Sequence, residues 1–334
     1  MIMRDVLLPD TKAEAWPELR ERVSRRILSS LGDSFSVPPV QPVMGVAVEE
    51  YGVIRIPLRF SAFPGWDVFG SWVLPEDAST YTGNGVLCLH GTDQENAHRG
   101  NMRPDVKEHR AYAVELAKRG WVTLSVDQFG FGEAAGKRPL EEMFSWFYEA
   151  YPESSIDGVR LAIHRAALGL LADHPAVDAD RLGCIGHSLG GRAALYLAAL
   201  DERVSACVSS TGLSPNQSNV YRNPVTDQAL SPQLNRHMME TGQTLFEYQE
   251  LLALIAPRSL LLIEPWNDPC NPSIEAVFRC FEKARFAFEL LEASSSLQMY
   301  CHGHGHDTPP ALRSAGYRFL ENACEHPQTE HSPN

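Results

Sequence analysis

The sequence predicts an α/β chain whose mostly parallel sheet is covered by helices on both faces. Three observations predict it. From Gly85 onward, short apolar runs alternate with segments of helical apolar spacing. The runs are continuous and do not alternate, as expected of strands buried on both faces. Between them lie segments long enough to be the crossover helices that parallel pairing requires.

The elements follow in order. Lys12 to Leu31 reads as an amphipathic helix, and a stretch containing Pro38, Pro39 and Pro42 comes after it, so residues 1–45 are read as an N-terminal helical extension. Val53–Phe60 and Val68–Leu74 alternate in polarity and are parted by Pro64-Gly65, a turn signal, which predicts an antiparallel opening to the sheet. Strand Val86–Leu89 is followed by a helix over about Val106–Arg119 and by strand Val122–Val126. Ile156–Ala172 carries Ile156, Val159, Ile163, Ala167 and Leu170 at helical spacing. Strand Leu182–Gly186, helix Leu189–Leu200, strand Val204–Val208, strand Ser259–Ile263, helix Ser273–Arg285, strand Leu297–Cys301 and helix Pro310–Ala323 complete the pattern. Residues 212–252, rich in Asn, Gln, Ser and Pro, interrupt it between two strands and are read as a lid insertion in a main domain over 46–324; residues 325–334 are a polar tail.

Composition sets the bounds. The 334 residues, 44% hydrophobic and 21% charged, can bury a large core. Twenty-nine Lys and Arg stand against 42 Asp and Glu, and a net charge of −13 disfavours nucleic acid and anionic membranes as partners. Seven cysteines in no paired pattern argue against a disulfide framework and against CxxC zinc sites. The charged start is not a signal peptide, and no run reaches the roughly 18 apolar residues of a membrane span, so a cytoplasmic location is expected. The sequon at Asn216-Gln217-Ser218 is discounted, since such triplets are common by chance.

The chemistry sits at the ends of the predicted strands. Gly186-His187-Ser188-Leu189-Gly190 matches G-x-S-x-G, and it falls where a buried strand ends and a helix begins. A serine in such a turn is strained and exposed, and its neighbours two residues away must be small. Ser188 is therefore the candidate nucleophile, and the amide of Leu189 the first candidate donor to an oxyanion. The loop after the first buried strand, Leu89-His90-Gly91-Thr92, offers the second donor from Thr92 or from the neighbouring Asp93. His90 is read as structural. In the order Ser, acid, His, the acid comes from Glu264-Pro265-Trp266-Asn267-Asp268; Asp268 lies on the turn beyond the strand and is preferred to Glu264, which belongs to its end. The base comes from His302-Gly303-His304-Gly305-His306-Asp307, where His306 lies just before the last helix, Thr308 reads as its N-cap and Pro309-Pro310 open it; His304 is the rival. The same cluster resembles the H-x-H-x-D-H zinc motif with its last two residues reversed, and no second ligand set follows, so no metal is assigned.

With these residues in place, the segments LCLHGT, LSVDQFGFGE, GCIGHSLGGRAAL, LLALIAPRSLLLIEPWNDP and HGHGHD resemble the dienelactone hydrolase-like and acetyl-xylan-esterase-like branches of the α/β-hydrolase superfamily, over about residues 50–322. The resemblance implies the α/β-hydrolase fold with a mostly parallel eight-stranded sheet, a Ser–Asp–His triad, no cofactor, and hydrolysis of carboxylic esters or related acyl bonds. The chain differs from authentic dienelactone hydrolases, which carry a cysteine nucleophile, and from xylan-deacetylating relatives, which usually carry glutamine where Leu189 stands. Phe129, Phe131, Trp146, Phe147, Tyr148 and Trp266 are read as wall or packing residues of the site. The expected partner is a small-molecule ester, and a homo-oligomer is left open. The competing readings are a peptidase or amidase of the prolyl-oligopeptidase type, whose propeller domain has no room in this chain, and a non-catalytic binder on the same scaffold.

Overall fold

The computed structural model describes residues 11–32, 37–93, 96–105, 110–219, 230–271 and 273–325. The sheet begins earlier than expected. Two short strands, β1 (Val43–Met44) and β2 (Val48–Glu50), both pair antiparallel with β3 (Val53–Phe63), so the described sheet has ten strands where eight are expected. The added pair only borders β3. The eight others are β3, β4 (Trp66–Pro75), β5 (Gly85–Leu89), β6 (Val122–Val126), β7 (Leu182–His187), β8 (Val204–Ser210), β9 (Ser259–Pro265) and β10 (Leu297–His302). Their order is β3-β4-β6-β5-β7-β8-β9-β10, antiparallel up to the β4–β6 pair and parallel from β6 to β10.

Alternation along each central strand assigns its two faces. Leu87 and Leu89 of β5 enter one apolar cluster, and Val86 and Cys88 enter the other; Leu260 and Leu262 of β9 divide from Leu261 and Ile263 in the same way. Fully burying each such side chain stabilises by roughly 1.5–3 kcal/mol relative to exposure. The larger cluster is closed by α1 (Trp16–Ser30), α5 (Ile156–Ala172), α6 (Leu189–Leu200), α9 (Tyr248–Ile255) and α10 (Ile274–Leu290); the smaller by α2 (Tyr112–Ala117) and α11 (Pro310–Glu325). Between them in the chain lie α3 (Gly132–Ala135), α4 (Leu140–Ala150), α7 (Asn216–Asn219) and α8 (Pro232–Thr241).

Helix α1 is an integral layer of the core. Its stripe of Trp16, Leu19, Val23 and Ile27 is buried in the larger cluster. Ser155, the N-cap of α5, accepts the amide of Gly158 at 2.9 Å and donates to the carbonyl of Leu31 at 2.6 Å, fastening the end of α1 to the start of α5. A Cβ on Gly158 would overlap that same carbonyl, which is why α5 carries a glycine in its first turn.

Part of the expected lid belongs to the core as well. α9, which closes the 212–252 segment, buries Leu251, Leu252, Leu254 and Ile255. Its capping box joins Glu247 and Glu250, and Glu247 also accepts the amides of Asn216 and Gln217, at 2.7 and 2.8 Å. Leu213, Leu230, Leu234, Met238 and Phe246 of the same segment are buried in the larger cluster too. Residues 220–229 of it lie outside the described residues, as do 106–109 of the helix expected over Val106–Arg119 and 326–334 of the tail. Among the described residues no helix is long and apolar enough to cross a membrane, and no two of the cysteines are joined in a disulfide.

Candidate active site

The strand order reverses at β5. The chain passes from β5 to β6 on one side and takes up β7 on the other, so the loops after β5 and β7 leave the sheet side by side at its carboxyl end. Ligands of open α/β sheets bind at such a crevice. Here it is a cleft of about 940 Å³ that holds Gly91, Thr92 and Asp93 from the first loop and Ser188 and Leu189 from the second.

Ser188 stands between β7 and α6 with φ 56° and ψ −118°, a region that a residue with a Cβ rarely adopts. The glycines around it are forced by close backbone approach. A Cβ on Gly186 would overlap Gly190, a Cβ on Gly190 would overlap the carbonyl of Leu89, and one on Gly191 would come within 2.6 Å of the carbonyl oxygen of Ser210. The Ser188 amide donates to the Ser210 carbonyl at 2.8 Å and reaches Thr211 Oγ1 at 3.1 Å. Thr211, itself at φ 52°, is a second strained residue beside the first.

The geometry brings three of the predicted residues into one hydrogen-bonded chain. His306 Nε2 lies 2.8 Å from Ser188 Oγ, and His306 Nδ1 lies 2.8 and 3.0 Å from the two oxygens of Asp268. Asp268 is buried and accepts the amides of Cys270 and Asn271 at 2.6 and 3.1 Å. Burial works to raise its pKa, but the His306 bond and these amides outweigh it and hold the carboxyl below its ordinary range. The carboxylate side of the imidazole is thereby fixed, leaving Nε2 for the serine.

The rivals are placed elsewhere. Glu264 is fully buried and accepts the amide of Leu213 at 3.2 Å; burial, then the neighbouring charge of Asp268, pushes its pKa well up. His304 is exposed, and His302 is buried with its Nδ1 accepting the amide of His304 at 3.2 Å. The three histidines of the cluster therefore do not converge as ligands. The described His, Cys and carboxylate groups that do approach one another are Asp268, Cys270 and His306, within 4.8 Å, and two of these are already joined to each other.

The loop after β5 is held from behind. Gln128 donates its backbone amide to His90 Nε2 at 3.0 Å and its side-chain amide to the His90 carbonyl at 2.6 Å. With Nε2 accepting, the proton of His90 is on Nδ1, which donates to the Gly91 carbonyl at 2.7 Å. Burial pushes the His90 pKa down to about 4, in keeping with a neutral structural ring. Asp93 accepts the amide of Asn96 at 3.0 Å and so closes the next turn, while Thr92 stands exposed at the cleft. Leu189 opens α6, where the first amides have no intrahelical acceptor.

Sequence reasoning did not single out the residues that join the loops. Asn267 donates to the carbonyl of Gly303 at 3.0 Å and accepts the amide of Gly305 at 2.9 Å, clamping the acid loop to the base loop. Asn271 donates to the carbonyl of Thr211 at 3.1 Å. The adjacency of Asn267 to Asp268 was the available signal. Of the aromatic residues considered, Phe131 lines the cleft with Leu140, Phe144 and Leu230. Phe129 packs 4.4 Å from Trp66 in the core, and Trp266 lies exposed, outside the lining residues.

Comparison with known proteins agrees with this architecture. A family model described as the Abhydrolase family matches residues 10–302. YtaP of Bacillus subtilis, named as a hydrolase, is 26% identical over 215 residues, covering 63% of this chain and 68% of that protein. The esterase FrsA of Vibrio cholerae is 38% identical over 132 residues, 37% of this chain, but the match spans only 27% of FrsA. Among solved structures, methylesterase BT1017 superposes with a TM-score of 0.71 at 20% identity, over 96% of this chain and 66% of that one, a likeness of fold. Matched over every described strand of its sheet, the chain belongs to the Abhydrolase family and is an esterase-like α/β-hydrolase.

Proposed function

We propose that the chain hydrolyses a carboxylic ester through an acyl-enzyme on Ser188. The observation that carries this is the hydrogen-bonded chain from Ser188 through His306 to Asp268, set at the cleft where the sheet order reverses. His306 takes the serine proton as the oxygen attacks the carbonyl, and Asp268 holds the imidazole tautomer and stabilises its cation. The amides of Leu189 and Thr92 receive the oxyanion. His306 then protonates the leaving alcohol, and water repeats the sequence on the acyl-enzyme. A relative named as an esterase and a structural neighbour named as a methylesterase support ester chemistry. The cleft volume, about 940 Å³, suits a small or medium ester.

In this reading the lid expected over 212–252 is carried by its described parts 212–219 and 230–247, from which Gly212, Ser214 and Leu230 line the cleft. The setting proposed with this reading is the cytoplasm, where exposed free thiols such as those of Cys270 and Cys301 stay reduced. The partner is a small-molecule ester, and a second copy of the chain is compatible with the reading. The test is a series of nitrophenyl esters of increasing acyl length, each run beside its nitroanilide. Ester turnover is expected, with the matched amide slower by at least about a hundredfold in kcat/KM, which corresponds to about 2.7 kcal/mol of barrier. An amide turned over as fast as its ester would overturn the assignment.

A further inference from the structure

Thr308 stands two residues beyond His306, and the triad does not account for it. The sequence suggests a helix cap, but α11 begins at Pro310 and the Thr308 hydroxyl turns inward. The residue is 2% exposed. Its Oγ1 lies 2.7 Å from Ser210 Oγ, 3.0 Å from His187 Nδ1 and 3.3 Å from Tyr112 Oη. The three partners come from the ends of β8 and β7 and from the start of α2. A hydroxyl can donate once and accept twice, so three partners use its full capacity.

The contacts continue toward the nucleophile. His187 Nδ1 also lies 3.2 Å from Thr211 Oγ1, the atom that the Ser188 amide reaches at 3.1 Å. A path of polar contacts therefore runs from the backbone of Ser188 through Thr211 and His187 to Thr308, outside the triad. The base loop needs such an anchor. It contains Gly303 and Gly305, the latter at φ +67° with open space around it, and a base must be placed within a few tenths of an ångström. Moreover, acylation consumes the Ser188 hydroxyl that His306 contacts. In the second half of the reaction, among the described residues, Asp268, the His187 ring with its centroid 5.1 Å away and the anchors of the loop remain to hold the imidazole.

We propose that Thr308 is a positioning residue: its hydroxyl ties the base loop to the nucleophile strand and holds His306 in register through both halves of the reaction. The proposal rests on the acyl-enzyme reading above. Its test compares Thr308→Val, which keeps the shape and removes the hydroxyl, with Thr308→Ser, which keeps the hydroxyl. Each preparation is first titrated with a fluorophosphonate, so that kcat is counted per competent site. Thr308→Val is expected to lose about 10- to 100-fold in kcat per titrated site, the range seen when an orienting partner is removed. KM should stay within about threefold, and Thr308→Ser should recover to within about threefold of wild type on the same reasoning. If the valine variant does not fold, Ser210→Ala carries the test by deleting the shortest contact; kcat per site should fall about threefold or more with KM held. A merely structural hydroxyl would lower the titratable fraction and leave kcat per site unchanged, which would overturn the proposal, as would a serine variant as impaired as the valine one or an effect confined to KM. Ester turnover by a wild type that resists the fluorophosphonate would instead overturn the nucleophile reading, and this proposal with it.

Discussion

Gly190 and Leu89 are in backbone contact: a Cβ on the glycine would overlap the Leu89 carbonyl and come within 2.7 Å of the His90 carbonyl oxygen. The turn that carries Ser188, the proposed nucleophile, thus rests directly on the strand whose loop carries the proposed second oxyanion donor, Thr92. One added methyl group would have to push apart the two backbones on which the proposed chemistry depends.

Gly190→Ala is therefore expected to destabilise the fold by about 1–3 kcal/mol, the usual cost of overpacking, because carbonyl groups, unlike a flexible side chain, cannot step aside. Urea unfolding measures the loss. Ester turnover should fall further than stability does, since even a shift of about 1 Å in a reacting group costs about a hundredfold. An alanine variant of wild-type stability and activity would refute the close contact.

The three histidines of the base loop separate by substitution. His306 contacts both Ser188 and Asp268, so His306→Ala should lower kcat by roughly 10⁴-fold. His304 is exposed and His302 turns toward the His304 amide, so their alanine variants should stay within about tenfold of wild type. Dialysis against EDTA should leave turnover unchanged, because the attacking atom in this mechanism is a serine oxygen. A dead His304→Ala variant, or zinc-dependent recovery after chelation, would move the assignment.

Glu264 makes a pH-dependent prediction about stability. Burial first, then the charge of Asp268, raises its pKa well above the ordinary carboxyl value, and the amides of Leu213 and Gly212 only partly oppose this. The folded state therefore holds the proton more tightly than the unfolded chain. Its contribution to stability is complete below the unfolded pKa of about 4.3 and is lost as pH rises toward the folded pKa. Glu264→Gln removes that titration. The melting temperature of the variant relative to wild type should rise between pH 4 and pH 8; a difference that is flat with pH would contradict the placement of this carboxyl.

Much of this was legible in the sequence because it depends on local pattern. The helix Ile156–Ala172 and the helix that opens at Leu189 follow from apolar spacing, and the nucleophile turn from glycines whose neighbours permit nothing larger. Asp268, chosen for its turn beyond the strand, and His306, chosen for its place just before the last helix, lie in one hydrogen-bonded chain with Ser188. Less local features escaped. Strands Val43–Met44 and Val48–Glu50 are too short to show a period and exist only by pairing with β3. Helix Leu140–Ala150 buries Met143, Phe144 and Phe147, a helical spacing that was present but hidden in an aromatic run read as pocket wall. The contacts of Thr211 and Thr308 join residues far apart in the chain, and no spacing encodes them; for Asn267 the one local sign was its place beside Asp268.

The central claim is that Ser188 is the atom that becomes acylated, and intact-protein mass spectrometry with a fluorophosphonate tests it most directly. Wild type should gain one adduct, located by peptide mapping to the segment containing Ser188, with loss of ester turnover in proportion to labelling. Ser188→Ala should fold with the same circular dichroism, take up no adduct and lose turnover by roughly 10⁴-fold or more. A Ser188→Ala protein that still labels and still turns over ester at near the wild-type rate would contradict the account.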